Sequence, residues 1–180
     1  MIVREVRWTD FDDLVETYYR LYDERAAGNV DLGIPLFPSR PDRASEVDWF
    51  AGLYKKLLSG EAVGRVADDG GRAIGGCFVT RAAGPPGSET GHVGVLGILV
   101  REGFRGRGAG TELLRATIEG CRGVFDLVRL SVFSVNARAA DLYRRFGFVP
   151  IGHVPAAVHR GDRYLDEELM ILDLRAPAKR

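Results

Sequence analysis

Residues 104–114 read FRGRGAGTELL, and they fall where an apolar run, HVGVLGILV, passes into a helical pattern. A helix start leaves backbone N–H groups without intrahelical partners and carries the positive end of the helix dipole. Glycines at 106, 108 and 110 take away the Cβ atoms that would hold a ligand off those amides, while Arg105 and Arg107 add charge and donors. The chemistry this suggests is capture of a phosphate, most naturally a diphosphate. A surface turn with solvated arginines is the alternative that spacing alone leaves open. Two familiar phosphate loops fit poorly. A P-loop needs Lys and Ser/Thr after its last glycine, whereas Gly108 is followed by Ala109 and Gly110. A dinucleotide fingerprint finds Gly106-x-Gly108-x-Gly110 with Asp126 downstream, but Asp126 opens its strand instead of closing it, and the chain has a single βαβ unit.

A second candidate group lies in NARAADLYRRFGF, residues 136–148. Asn136, Ala140 and Tyr143 are spaced i, i+4, i+7, along one stripe of a helix where an extended ligand could run. Asn136 also suits a helix N-cap, and Tyr143 also suits an amphipathic core tyrosine whose hydroxyl reaches the surface. Leu142 and Phe146 on the neighbouring stripe read as core.

Arg105-Gly106-Arg107-Gly108-Ala109-Gly110 resembles the Arg/Gln-x-x-Gly-x-Gly/Ala signature of the GNAT N-acetyltransferase superfamily, which holds the pyrophosphate of acetyl-CoA. The preceding ILVREGF resembles that family's strand end. Asn136–Phe148 resembles its second motif, Asn-x-x-Ala-x-x-Leu-Tyr-x-x-x-Gly-Phe, with every fixed position filled. The resemblance covers residues 61–174 well and the first 60 residues in general layout. It implies that the backbone of Ile98, Leu99 and Val100 pairs with pantetheine and polarises the thioester carbonyl. It implies further that Arg105, Gly106, Arg107, Gly108, Ala109, Gly110, Thr111 and Asn136 hold the coenzyme, and that Tyr143 protonates the departing sulfur, with no metal. Many relatives carry a catalytic carboxylate on the strand before the Gly-rich turn, or about five residues before the motif Asn. Here residues 93–100 contain no acid and the second position is Ser131, and some relatives use a water chain instead. His92 and Glu89 are candidates for the base, each with a structural role as the alternative. His153, His159, Asp166 and Glu167 are candidates to line an acceptor pocket.

These residues need elements to position them. IVREVRW (2–8) alternates as a strand, and Thr9 with Asp12 forms a variant capping box for a helix through Ala27. Residues 28–43, with three prolines, form an ordered loop or lid; Phe37, Trp49 and Phe50 give the region around it an apolar character. A helix follows over 44–59 with Ser45 as N-cap and Val47, Phe50, Leu53, Tyr54, Leu57 and Leu58 on its apolar face. Strands are expected at 61–67 and 73–80 around a turn at Asp69-Gly70, and at 92–100, where the lack of alternation predicts cover on both faces. Gly94 and Gly97 inside that last strand mark a bulge or a close approach of another backbone or a ligand. A helix after the turn, a strand at 126–134, a helix ending at Gly147 and strands at 148–154 and 165–174 complete an α/β domain, βααβββαβαββ, with a mixed central sheet flanked by helices. Residues 1–60 would supply the acceptor side and 61–174 the acetyl-CoA-binding core.

The chain has 180 residues, 46% of them hydrophobic, enough for one packed core. Twenty-five Lys plus Arg balance 25 Asp plus Glu, which argues against nucleic acid or an anionic membrane as partner. The N-terminus lacks a signal core and no apolar stretch reaches a membrane span, so a cytoplasmic protein is expected. Cys77 and Cys121 read as buried reduced thiols. The expected function is transfer of acetyl from acetyl-CoA to a primary amine of a small molecule or peptide by direct attack in a ternary complex. The alternatives are an acyl-CoA-binding or sensing module and, less favoured, a nicotinamide-dependent oxidoreductase. A sheet edge near the C-terminus could support a homodimer.

Overall fold

A computed structural model describes residues 1–28 and 34–175. Strand β1 (Ile2–Glu5) leads through a short 3-10 turn (Trp8–Asp10) into helix α1 (Phe11–Ala26), and helix α2 (Arg43–Leu58) follows the segment between them. Next come β2 (Ala62–Asp69), β3 (Arg72–Arg81), β4 (Val93–Val100), α3 (Ala109–Cys121), β5 (Leu127–Phe133), α4 (Ala137–Arg145), β6 (Val149–Arg160) and β7 (Arg163–Asp173). The strands form one sheet in the order β1-β2-β3-β4-β5-β7-β6. All neighbours are antiparallel except β4 and β5, the pair joined by the crossover through α3. The expected order of elements is therefore observed.

The β4–β5 ladder is short. It runs only from Val93/Leu127 to Val95/Arg129, so the two strands diverge beyond that point and leave a wedge beside Ile98, Leu99 and Val100. Alternation of side chains divides the sheet into two faces. Cys77, Val79, Leu96, Val128, Leu130, Val132 and Met170 pack with Leu113, Leu114 and Ile118 of α3 and with Ala140 and Tyr143 of α4. On the other face Leu14 of α1 and Phe50 of α2 pack with Val66, Ala73 and Phe78.

Several boundaries differ from expectation for identifiable reasons. β1 stops at Glu5, because the Asp10 carboxylate accepts the Arg7 N–H at 2.7 Å and two guanidinium bonds from Arg4, folding Trp8–Asp10 into the 3-10 turn. Thr9 lies inside that turn, and Asp10 is the residue at the N-cap of α1. Asp42, not Ser45, caps α2, its carboxylate accepting the Ser45 N–H at 2.8 Å. Val47 and Leu58, expected on the buried face of α2, are 40% and 75% exposed. The β2–β3 turn is Gly70-Gly71, between the paired Asp69 and Arg72. Strands β6 and β7 reach beyond the expected 154 and 165 limits, so HRGDRY is mostly ladder and only Gly161 and Asp162 turn. Strand β4 is open on one face: Val95 and Gly97 are exposed, because α1 and α2 pack mainly over β3 and β2 and leave that part of β4 uncovered. The expected lid over 28–43 falls partly on residues 29–33, which lie outside the described residues. Phe50 is fully buried against Trp8, Phe11 and Tyr54, whereas Phe37 and Trp49 are exposed.

Candidate active site

Beyond the end of β4 the chain crosses three glycines before α3 begins. Gly106 and Gly108 have φ of 81° and 92°, a region that L side chains rarely adopt, and Gly108 serves as N-cap without a side chain. The turn therefore presents the first amides of α3 outward with nothing from its own sequence to satisfy them. They open onto a cleft of about 310 Å³ at the β4–β5 wedge. Ile98, Leu99 and Val100 form one wall, Arg105, Gly106, Gly108, Gly110 and Thr111 the end at the start of α3, and Asn136, Ala139, Leu142 and Tyr143 the opposite side.

Ten of the twelve residues expected at the site are thus brought together. Arg107 and Ala109 are not part of the wall: Arg107 faces solvent, and Ala109, 1% exposed, packs into the core. Arg105 is in place but committed elsewhere. Its two terminal nitrogens bind both oxygens of Glu24 at 2.7 and 2.8 Å, and its Nε donates to the Val100 carbonyl at 2.8 Å. It ties the end of α1 to the turn, and the cation over the turn comes from α4. A Cβ built on Gly106 would stand 2.8 Å from Nη2 of Arg138, so only glycine lets that guanidinium lie on the backbone. Arg138 and Arg145 both line the cleft. The signal for them was available in the sequence: Arg138, Leu142 and Arg145 repeat at i, i+4, i+7, one stripe over from the tyrosine. Glu24, Leu21 and Ile34 carry no motif that would single them out.

Asn136 combines two roles. Its Oδ1 accepts the Ala139 N–H at 3.2 Å as the N-cap of α4, and its side also faces the cleft. Ala140 turns into the core, so the stripe facing the cleft is Asn136, Ala139 and Tyr143. Tyr143 is 7% exposed and packs edge-on against Phe148, with ring centres 5.8 Å apart. Burial pushes its hydroxyl above the ordinary tyrosine range, so it carries its proton throughout neutral pH. The two thiols are buried, each pushed up by burial to about 12, and are inert.

The base candidates at the start of β4 are misplaced. The carbonyl of His92 accepts from Asp126 and Leu127 at the closed end of the wedge, and an eight-residue strand separates it from the turn by about 25 Å. Glu89 lies on the same far side, in the loop before His92. Among the C-terminal candidates, His153 pairs with Asp166 at 3.2 Å, Asp166 also accepts the Ala156 N–H at 2.8 Å, and His159 stacks on Tyr164 with ring centres 4.6 Å apart. On the acceptor side of the sheet Glu46 of α2 is 6% exposed, and burial pushes its carboxyl up. Among the described residues no group of three or more His, Cys, Asp or Glu is placed to hold a metal, and no helix is long and apolar enough to cross a membrane.

The sequence model of the Acetyltransferase (GNAT) family matches residues 10–148, from the start of α1 through the second motif. The chain belongs to the GNAT acetyltransferase family. It is 38% identical over 79 residues to an L-methionine sulfoximine/L-methionine sulfone acetyltransferase of Pseudomonas aeruginosa, covering 43% of this chain and 45% of that one. It is 33% identical over 81 residues to the L-amino acid N-acetyltransferase AaaT of Escherichia coli, covering 44% and 50%. The chain thus spans about half the length of the curated relatives it matches. The fold matches that of yncA from Salmonella typhimurium, solved with acetyl-CoA, at a TM-score of 0.80 and 19% identity over 100% of this chain and 97% of that one. A phosphinothricin acetyltransferase from Sinorhizobium meliloti, also in complex with acetyl-CoA, gives 0.79 at 19% identity over 96% and 88%.

Proposed function

We propose that this protein transfers the acetyl group of acetyl-CoA to the primary amine of a small molecule, by direct attack in a ternary complex. The single observation that carries the reading is the cleft itself, in which outward amides and the Arg138 guanidinium at one end share a wall with a protonated, buried tyrosine at the other. The residues fit the coenzyme. Nothing stands within 4 Å of where a Cβ on Gly108 would be, helix-start amides suit a diphosphate, and the backbone of Ile98–Val100 runs along an open wedge suited to an amide-bearing arm. The bound thioester supplies an acyl carbon open to nucleophiles and a thiolate leaving group.

The chain's own groups then have separate tasks. Backbone N–H groups at the β4 edge orient the carbonyl and hold charge that develops on its oxygen. Tyr143 donates a hydrogen bond to the sulfur. Its hydroxyl holds its proton more firmly than a thiol, which ordinarily titrates near about 8.5, so it passes the proton on only as another reaches it. A small α-amino acid is the acceptor class favoured by the relatives, whose names specify amino acids and amino-acid analogues. The test is release of CoA thiol by the purified protein with a panel of α-amino acids, amines and peptides. Thiol release with an amino acid supports the reading; tight acetyl-CoA binding with no turnover on any amine supports an acyl-CoA-binding module instead.

A further inference from the structure

An acceptor amine at neutral pH is an ammonium ion and cannot attack until it loses a proton, so the transfer reading requires a proton acceptor facing the open side of the wedge. Strand β4 has no acid, and Ser131 stands on β5 where the family resemblance implies one. The register of the sheet shows which side chains share the face of Ser131. Val128, Leu130 and Val132 of β5 and Met170 of β7 belong to the core under α3 and α4. Arg129, Ser131 and Phe133 therefore point the other way. Because Phe133 pairs with Glu167, Ser131 with Leu169 and Arg129 with Ile171 without a break, those β7 residues point with them.

Resting on the acetyl-transfer reading, we propose that Glu167 is the catalytic carboxylate of this site, receiving the acceptor ammonium and accepting its proton. Directly opposed residues in an antiparallel pair have Cβ atoms about 4.5–5.5 Å apart, and diagonal neighbours at about 7–8 Å remain within reach of long side chains. Glu167 is thus directly opposite Phe133 and a diagonal neighbour of Ser131, close enough for a long side chain to serve the place that Ser131 leaves short of a carboxylate. The neighbouring acids are occupied. Asp166 holds Ala156 and His153, Glu168 takes the Arg144 guanidinium at 2.6 Å, and Glu24 holds Arg105. Glu167 is half-buried, and among the described residues its side chain makes neither an ion pair nor a hydrogen bond. Burying part of an unpaired carboxylate is costly, and a cationic ligand removes the cost.

A chain of contacts links the Phe133–Glu167 strand pair to the coenzyme cleft. The Arg160 guanidinium lies 5.2 Å from the centre of the Phe133 ring and donates to the Ile34 carbonyl at 2.7 Å, so the tip of the β6–β7 hairpin and the segment after α1 meet above this strand pair. Ile34 also lines the cleft that holds Tyr143. The step balances. One ammonium proton goes to the Glu167 carboxylate, and the nitrogen lone pair forms a bond to the acyl carbon. The carbon–sulfur bond breaks with its electron pair on sulfur, which takes a proton from Tyr143. The second nitrogen proton returns to Tyr143, and Glu167 gives the first to solvent.

The experiment compares Glu167→Gln, Glu167→Asp and Glu46→Gln with the wild-type protein, after circular dichroism shows each to be folded. The acceptor is one that the wild type turns over. Glu167→Gln should lower kcat/KM for that amine by about 10²-fold or more, with acetyl-CoA affinity kept within about twofold and part of the rate restored in Glu167→Asp. With a hydrazide or O-alkylhydroxylamine analogue of the same acceptor, which is uncharged at neutral pH, the defect should largely disappear. A merely structural role would not discriminate between the two nucleophiles. The proposal is overturned if Glu167→Gln keeps wild-type turnover, if charged and uncharged acceptors suffer alike, or if Glu46→Gln produces the selective loss instead. A wild-type protein that acetylates no amine removes the transfer reading and Glu167 with it. Robust wild-type turnover unaffected by Glu167→Gln removes Glu167 alone.

Discussion

Arg138→Ala should weaken acetyl-CoA binding by about tenfold or somewhat more, and the geometry says why. The guanidinium rests on Gly106, whose missing Cβ would stand 2.8 Å from Nη2, and lines the same cleft as the turn that opens α3. A hydrogen bond to a charged group contributes about 1.5–3 kcal/mol. Arg138 is exposed, so solvent screening places the loss at the lower end, and about 1.4 kcal/mol is a factor of ten. Gly106→Ala acts on the same contact by two routes. It places alanine at φ 81°, a left-handed conformation that costs about 1–2 kcal/mol, and its methyl displaces the guanidinium. The two effects separate in a double-mutant cycle read by titration calorimetry at low and high salt. In the Arg138→Ala background, Gly106→Ala should lose stability but little further affinity, leaving a coupling energy of about 1 kcal/mol in binding. The single Arg138 variant should also show a weaker salt dependence. If Arg138→Ala binds acetyl-CoA as the wild type does, or if the two losses add in full, the guanidinium does not face the phosphates and the reasoning is wrong.

Other perturbations probe separate parts of the molecule. Tyr143→Phe should lower kcat by about 10²-fold while acetyl-CoA affinity stays within about twofold, since the ring still packs on Phe148 and only the donor is lost; equal loss of both would remove Tyr143 from the chemistry. Glu24→Ala leaves Arg105 without its carboxylate and should cost about 1–3 kcal/mol, seen as a melting point lower by roughly 2–4 °C per kcal/mol, and it should loosen acetyl-CoA binding because α1 no longer anchors the turn. The Arg4 guanidinium beside it, and the Gly71 N–H, hold the Asp68 carboxyl below its ordinary value of 3.8. A carboxyl depressed in the folded state stabilises above its unfolded value and loses that contribution as pH falls through the folded one. The wild type should therefore lose stability below about pH 4, and Asp68→Asn should flatten that part of a melting-temperature profile; an unchanged acid limb would show that the pair contributes nothing.

The parts of this site that rest on local backbone chemistry were readable from the residues. Glycines at 106 and 108 announce a turn with positive φ, Asn136 announces a cap, and Tyr143 announces a stripe facing the cleft, because each requirement lies within a few residues of chain. What was not readable depends on pairing across the fold. Arg105 looked like the phosphate cation, yet α1 brings Glu24 against it, and the guanidinium beside Gly106 is that of Arg138 because α4 lies over the turn. Strand β4 looked covered on both faces because Val95 and Gly97 do not alternate with polar residues, yet both are exposed, and an apolar residue on a sheet face is not thereby buried. Glu167 is one acid among three in DEEL. Alternation along the strand already separates it from Asp166 and Glu168, but which face it takes comes from the register of β7 on β5, which no spacing within the strand discloses.

The most direct test of the whole account is a crystal structure with coenzyme A bound. It should show the diphosphate accepting from the amides of residues 108–111 at about 3 Å, the Arg138 guanidinium over it, and the sulfur within hydrogen-bonding distance of the Tyr143 hydroxyl. A diphosphate seated away from the start of α3, or a sulfur on the far side of the sheet from Tyr143, would contradict it.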